Sequence, residues 1–291
     1  MKPDINRVAI LGMGLMGGSL GLALRALSSP PRVYGYARRE ESLRAAIDTG
    51  AIDHACTCPA EAVCEADVVV LCVPVLAMPA LAAETMGHAA PDCVFTDVGS
   101  TKREVMALMD DHRINGLPQF VGSHPIAGSH MTGIGAARAD LYRDATVVIT
   151  PGDDALPGSV ERLKQLWTLV GSRVVVMSPS EHDAMLARTS HLPHLVAAAV
   201  VETVLDDRLP DAALFCGSGF RDTTRVAAGS EELWHDICMT NRVAIDAALQ
   251  RFSAVIGRLQ RAVESGDSDA LQDFLDSARR RRSGLDDEER T

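Results

Sequence analysis

The stretch VGSHPIAGSH, residues 121–130, sets His124 and His130 close together among serines and glycines, in a chain with nine histidines in all. A free imidazole titrates at about pH 6.5, so either ring is suited to moving a proton near neutrality. QFVGSHP (119–125) reads as a strand that runs into a turn at Pro125, which puts His124 at a strand's carboxyl end. His130 falls beyond the Gly128 turn, on a loop. Position makes His124 the better proton acceptor; the competing role is a histidine that caps a loop or packs in a core. FTDVGSTK adds Asp97, Ser100, Thr101 and Lys102 where another strand ends. In an open α/β sheet ligands bind beyond the carboxyl ends of the strands, so Ser100 and His124 are expected on one rim. Ser100 either caps the next helix or presents its hydroxyl to a ligand, and one serine can do both.

The same rim carries a phosphate-binding pattern. VAILGMGLMGGSL places Gly12, Gly14 and Gly17 in G-x-G-x-x-G spacing between a strand and a helix. The first glycine allows a tight turn, the second lets a pyrophosphate approach the backbone, and the third lets helix and strand pack closely. Leu15 and Met16 open the helix, where free N–H groups hold phosphate oxygens. Pro74, which ends the strand ADVVVLCVP, is expected to complete the cofactor lining. At the tip of the next strand, where NAD-binding chains carry a carboxylate for the ribose 2′-hydroxyl, Ala37 is followed by Arg38 and Arg39. Guanidinium groups match a phosphate, so NADP is expected ahead of NAD. The alternative is two solvated arginines opening a helix, with Glu40 or Glu41 on the ribose.

Two further clusters lie downstream. TSHLPH puts His191 and His194 on one helical face. Packing at a domain interface is expected there rather than zinc, since no third ligand follows at suggestive spacing, and no metal is expected in the protein. GSGFRDTTR (217–225) offers Arg221 and Arg225 as bidentate clamps for a carboxylate, or else a surface loop with a local Arg–Asp pair.

The elements that must position these groups change character along the chain. Short β-branched runs alternate with helical patterns up to SRVVVMSP, which implies a mainly parallel sheet covered on both faces. After Pro179 no strand signal remains. A long helix opening on Ser180 and kinked at Pro193 is expected, then a helix covering much of 230–266, then a solvated or frayed tail, RRRRSGLDDEERT. The fold expected is α/β, a Rossmann-type doubly wound sheet over 1–179 followed by an all-helical domain over 180–291. Apolar residues at 47% permit a large core, and aromatics at 4% with a net charge of −11 argue against nucleic acid or an anionic membrane as partner. The seven cysteines are expected as reduced thiols, and without a leader pattern or a spanning segment the cytoplasm is the expected location.

Taken together, GMGLMGGSL, DVGSTK, GSHPIAGS, SPSEHD, TSHLPH and GFRDTTR with Trp234 beyond it resemble the prephenate dehydrogenase family, which includes arogenate and cyclohexadienyl dehydrogenases. The resemblance implies oxidation of the prephenate ring alcohol with loss of carbon dioxide, giving 4-hydroxyphenylpyruvate in tyrosine biosynthesis. It implies His124 as proton acceptor, Ser100 orienting the hydroxyl, Arg225 on a substrate carboxylate, and His194 and Trp234 lining the pocket. Asp183 and Asp222 resemble members of an interdomain charge network, and the helical domain resembles one that forms a homodimer. His130 stands where some members carry an acid, which favours the keto side chain of prephenate over the ammonium group of arogenate. No regulatory domain is expected after residue 291, so tyrosine inhibition would act at the active site. Arogenate dehydrogenase is the alternative activity. A β-hydroxyacid dehydrogenase would be expected to use a lysine in the helical domain, and no lysine follows residue 179. A non-catalytic NADP sensor would have no need of Ser100, His124 and Arg225 together.

Overall fold

The computed structural model describes residues 5–111, 119–128, 131–206, 208 and 211–288. His130 and residues 289–291 of the tail lie outside them. The chain divides into two compact units, Met1–Arg242 and Val243–Thr291.

In the first unit, β1 (Arg7–Leu11), α1 (Leu15–Arg25), β2 (Arg32–Tyr36), α2 (Glu40–Asp48), β3 (His54–Cys56), α3 (Pro59–Val63), β4 (Val68–Leu71), α4 (Met78–Thr85), β5 (Val94–Asp97), α5 (Arg103–Asp111) and β6 (Gln119–Phe120) follow one another. They build a parallel sheet of order β3-β2-β1-β4-β5-β6, the doubly wound arrangement in which strand order reverses between β1 and β4. The strands are continuous apolar runs because both faces are covered. Val8, Ile10, Val68 and Val70 pack on one side, and Ala9, Leu11, Val69 and Leu71 on the other. Burying a side chain of this kind contributes about 1.5–3 kcal/mol.

QFVGSHP is not one strand. After β6 the chain leaves the parallel sheet at Val121, and β7 (Gly122–Pro125) joins a second sheet, antiparallel to β8 (Thr146–Thr150). That sheet continues through α6 (Pro157–Leu169) to β9 (Arg173–Val176), which pairs parallel with β8. The cause of the switch is a side chain on the neighbouring strand. The carboxylate of Asp97, at the end of β5, accepts from the Ser123 N–H at 3.0 Å, while Ser123 Oγ donates to the Asp97 carbonyl at 2.6 Å. The backbone of Ser123 is thereby turned toward a side chain instead of continuing the ladder.

From Pro179 every element among the described residues is helical: α7 (Pro179–Leu186), a π-helical turn over Ala187–His191, α8 (Leu192–Val204), α9 (Ser218–Thr224), α10 (Glu231–Thr240), α11 (Arg242–Ser265) and α12 (Ser268–Glu288). The expected opening at Ser180 moves to Ser178. Its hydroxyl accepts from the Glu181 N–H, and Glu181 reaches back to the Ser178 N–H, a capping box with Pro179 in the first turn. The wide turn ahead of Pro193 accommodates a residue with no N–H to offer, and it holds His191.

The second unit is a hairpin of α11 and α12. Gly266, with φ of +67°, ends α11 through bonds from its own N–H to the Val263 carbonyl and from Asp267 to Ala262. Asp267 then caps α12 through the Ala270 N–H. The arginine-rich tail is exposed over residues 279–285, as a solvated segment is, and helical through Glu288, with Arg279 and Arg280 both paired to Asp276 one turn back. Among the described residues no helix is long and apolar enough to cross a membrane.

The Lys102 ammonium and Asp97 carboxylate form an ion pair in which both side chains are 0% exposed. Lys102→Met would leave the Asp97 charge buried without its cation. A loss of about 3–5 kcal/mol is expected, measured as the shift of the urea unfolding midpoint at neutral pH.

Candidate active site

The first half of the site is a cleft of about 700 Å³ lined by Gly12, Gly14, Tyr36, Arg38, Arg39, Ser42, Cys72 and Pro74 among others. Gly12 has φ of +115°, and a Cβ there would strike the Cys72 carbonyl, so only glycine can make this turn. A Cβ on Gly17 would strike the Gly12 carbonyl, which is the close helix–strand packing the motif demands. A Cβ on Gly14 would meet nothing within 4 Å. That open space faces the start of α1, where no side chain caps the helix and the Leu15 and Met16 N–H groups have no intrahelical acceptor. The donors and the room suit a pyrophosphate. Tyr142 fixes the turn from below, its hydroxyl donating to the Met16 carbonyl at 2.7 Å. Arg38 and Arg39 are exposed, and Ala37 is the first residue after β2. The fit is to a dinucleotide.

The second half is built from histidines. His124 in β7 is buried with 9% of its surface open. Its Nδ1 lies 2.9 Å from Nε2 of His182 in α7, with the two rings edge-to-face. His182 Nδ1 lies 2.8 Å from Asp183 Oδ1. Asp183 in turn accepts the N–H groups of Lys102 at 2.8 Å and Arg103 at 2.9 Å, so it joins α7 to the start of α5. It is tied to backbone donors and to a histidine, where the sequence pointed to a charge network. Asp222 is exposed on α9. Burial pushes the His124 pKa well below its ordinary value, and the neighbouring His182, Lys102 and His191 push the same way. The imidazole is therefore neutral at neutral pH and free to accept a proton. Ser100 is half-buried in the turn after β5, between the buried Gly99 and Thr101, and the Thr101 hydroxyl bonds Thr240 at 2.8 Å.

Around this centre the helices place His191, His194 and Trp234. His194 stacks on Trp234 with ring centroids 3.5 Å apart, and His191 meets the same indole edge-on. Asn241, in the break between α10 and α11, donates to the Asp183 carbonyl at 2.9 Å and lies 3.2 Å from His191 Nδ1. The two histidines of TSHLPH thus serve an aromatic stack and a buried amide. Burial pushes His191 down to about 4 and lowers His194 as well. Arg225 is exposed where α9 gives way to the turn before Gly229, and Arg221 is exposed on α9.

Sequence reasoning passed over His182, Asn241 and Gly229. His182 sits in SPSEHD, a segment whose strongest local signal is a helix start. A Cβ on Gly229 would lie 2.8 Å from Trp234 Nε1 and 3.2 Å from His194 Cε1. Gly229→Ala is expected to displace the stack and cost about 1–3 kcal/mol. Gly219→Ala, on α9 with nothing within 4 Å, is expected to stabilise by about 0.4–1 kcal/mol. Urea melts of the two variants beside the parent measure both.

The comparisons with known proteins agree with this geometry. Residues 20–176 match the model of the prephenate dehydrogenase nucleotide-binding domain, and residues 178–277 match that of the prephenate dehydrogenase dimerization domain. Prephenate dehydrogenase of Bacillus subtilis is 34% identical over 96% of this chain and 76% of its own length. Cyclohexadienyl dehydrogenase of Zymomonas mobilis is 34% identical over 96% of each chain. The crystal structure of Aquifex aeolicus prephenate dehydrogenase in complex with hydroxyphenyl propionate and NAD+ superimposes with a TM-score of 0.91 at 30% identity, covering 98% of this chain and all of that one. A doubly wound nucleotide-binding sheet and matches on both sides of residue 177 make this chain a member of the prephenate dehydrogenase family.

Proposed function

We propose that the protein carries out the oxidative decarboxylation of prephenate to 4-hydroxyphenylpyruvate in tyrosine biosynthesis, with NADP+ preferred over NAD+. The observation that carries it is the buried His124, which follows Ser123 where that residue bonds Asp97 at the end of β5, in the sheet whose β1 leads into the glycine loop. A nicotinamide dinucleotide bound along that loop supplies the hydride acceptor. The His124 imidazole takes the proton of the ring hydroxyl as the C–H bond beside it breaks, so the oxygen gains the electron density that the departing hydride removes. When the ring carboxylate leaves as carbon dioxide and the ring becomes aromatic, the same proton returns from His124 to the oxygen. Ser100 holds the hydroxyl in line with His124. Arg225 takes a substrate carboxylate, and the His194–Trp234 stack forms a flat wall against the ring. Gly12, Gly14, Leu15, Met16, Gly17 and Pro74 hold the dinucleotide.

Arg38 and Arg39 border the cleft at the end of β2, with Ser42 beside them in the first turn of α2. Two guanidinium groups and a hydroxyl form a donor set for a 2′-phosphate, and Ala37 offers no carboxylate to repel one. The preference for prephenate over arogenate is assigned to His130. Residues 1–179 form the nucleotide-binding domain and 180–291 the domain through which two copies pair. Leu214 and Phe215, 81% and 85% exposed, are apolar surface suited to a second copy. The cytoplasm, where this substrate and cofactor meet, is the proposed location.

Arogenate oxidation is the second reading, favoured by the cyclohexadienyl dehydrogenase relative. Initial rates with prephenate and arogenate, each with NAD+ and NADP+, separate the possibilities. The highest kcat/KM is expected for prephenate with NADP+. A higher value for arogenate would overturn the role given to His130, and turnover only with NAD+ would overturn the role of the arginines. Because His124 is held below its ordinary pKa of about 6.5, kcat/KM is expected to stay flat as pH falls through that value and to decline only below it. An acidic limb centred at or above about pH 6.5 would contradict the burial argument.

A further inference from the structure

From the hydrogen-bond chain behind His124 we infer that His182 is a positioning residue for the reaction: anchored by Asp183, it holds the proton of His124 on Nδ1 and so leaves the Nε2 lone pair for the substrate. The inference rests on His124 as the proton acceptor proposed above, and it names the nitrogen that accepts.

The assignment follows one donor at a time. Both oxygens of Asp183 face backbone N–H groups, those of Lys102 and Arg103, and a backbone N–H can only donate. The carboxylate is therefore an acceptor, and His182 Nδ1, which shares Oδ1, must carry a hydrogen and donate it. A neutral His182 protonated on Nδ1 has a lone pair on Nε2. That atom faces His124 Nδ1 at 2.9 Å, and the His182 side chain is 0% exposed. His124 Nδ1 must then be the donor, and its Nε2 is left bare. Among the described residues no hydrogen bond is recorded to His124 Nε2, and the ring retains 9% exposure. A cationic His182 would reverse the chain, drive the His124 proton to Nε2 and abolish the base. The Lys102 ammonium, buried beside these rings, counts against a second cation there, as does the burial that lowers His124.

The chain also does more for the reacting state than for the resting one. Once Nε2 has taken the substrate proton, the Nδ1–H that faces His182 belongs to an imidazolium, and a charge-assisted hydrogen bond is roughly twice as strong as a neutral one. Stabilisation that grows as the proton moves lowers the barrier rather than only tightening binding.

The full-length protein and its His182→Gln and His182→Leu variants provide the test. Glutamine keeps an acceptor that can reach Nδ1 of His124, and leucine does not. His182→Leu is expected to lose roughly 10²-fold in kcat for prephenate oxidation while the cofactor Kd stays within about twofold, and His182→Gln to recover about tenfold of that loss. Equal impairment of both variants, or an unimpaired leucine variant, would overturn the inference. Nitrogen-15 NMR of the parent, assigned with His124→Ala, reports which ring nitrogen carries hydrogen without reference to any substrate or to the folding of a variant. Hydrogen on Nδ1 supports the relay even if prephenate proves not to be the substrate, whereas hydrogen on Nε2 refutes it even if prephenate is turned over.

Discussion

One buried carboxylate organises the rim of the sheet. Asp97 ends β5 with no solvent contact, and such a charge is tolerated only when it is paired and fully hydrogen-bonded. It accepts from Lys102 Nζ and from the Gly99 N–H on Oδ2, and from the Ser123 N–H on Oδ1. The first two bonds curl the residues after β5 into the turn that holds Ser100. The third pulls the chain out of the parallel sheet and into the second one, one residue before His124. The two groups assigned to the ring hydroxyl are thus set by the two oxygens of a single side chain. The ion pair contributes little to net stability, because both ions leave water to form it; its worth lies in the geometry it imposes.

From that point the site is a sequence of dependent hydrogen bonds running through distant parts of the chain. Lys102 is shared: its side chain satisfies Asp97, and its backbone N–H satisfies Asp183. Asp183 orients His182, which meets His124. Asn241 donates to the Asp183 carbonyl and reaches His191, whose ring abuts the indole on which His194 stacks. His124 and the His194–Trp234 stack are thus joined through one buried chain of contacts. The π-helical turn carries one member of that chain. It shifts the register of the helix ahead of Pro193 while keeping His191 buried against Asn241.

What the sequence makes legible is local. The glycine loop, the alternation of apolar runs with helices, the loss of strand signal at Pro179 and the strand-end place of His124 each depend on residues within one or two elements. The departures all come from contacts across the chain. QFVGSHP carries no internal sign of a break, because the cause is Asp97, 26 residues away from Ser123. SPSEHD reads as a helix start, which it is, and the histidine inside it acquires a partner 58 residues distant. Gly229 is an ordinary loop glycine until Trp234 and His194 close on it. The tail is solvated, as its composition suggests, but also helical. A run of arginines suggests a solvated segment, and Asp276 at three- and four-residue spacing turns the same charges into helix support.

Charge shows how far local chemistry can depart from composition. A dianionic substrate and a dinucleotide approach a chain whose formal net charge is −11. At physiological ionic strength exposed charges are screened beyond about 8 Å, so the overall sign matters less at the site than the few cations within that distance. On the proposed reading those cations are Arg38 and Arg39, which line the cleft, and Arg225 in the helical part of the chain. Lys102 is different in kind, sealed from solvent and already neutralised by Asp97. It cannot serve as a ligand for a substrate carboxylate. Its part toward His124 is secondary: burial first, and then His182, lowers that imidazole's pKa, and Lys102 pushes the same way. The acidic surface and the basic rim are then compatible features of one protein, the first governing its solubility and the second its recognition of anions.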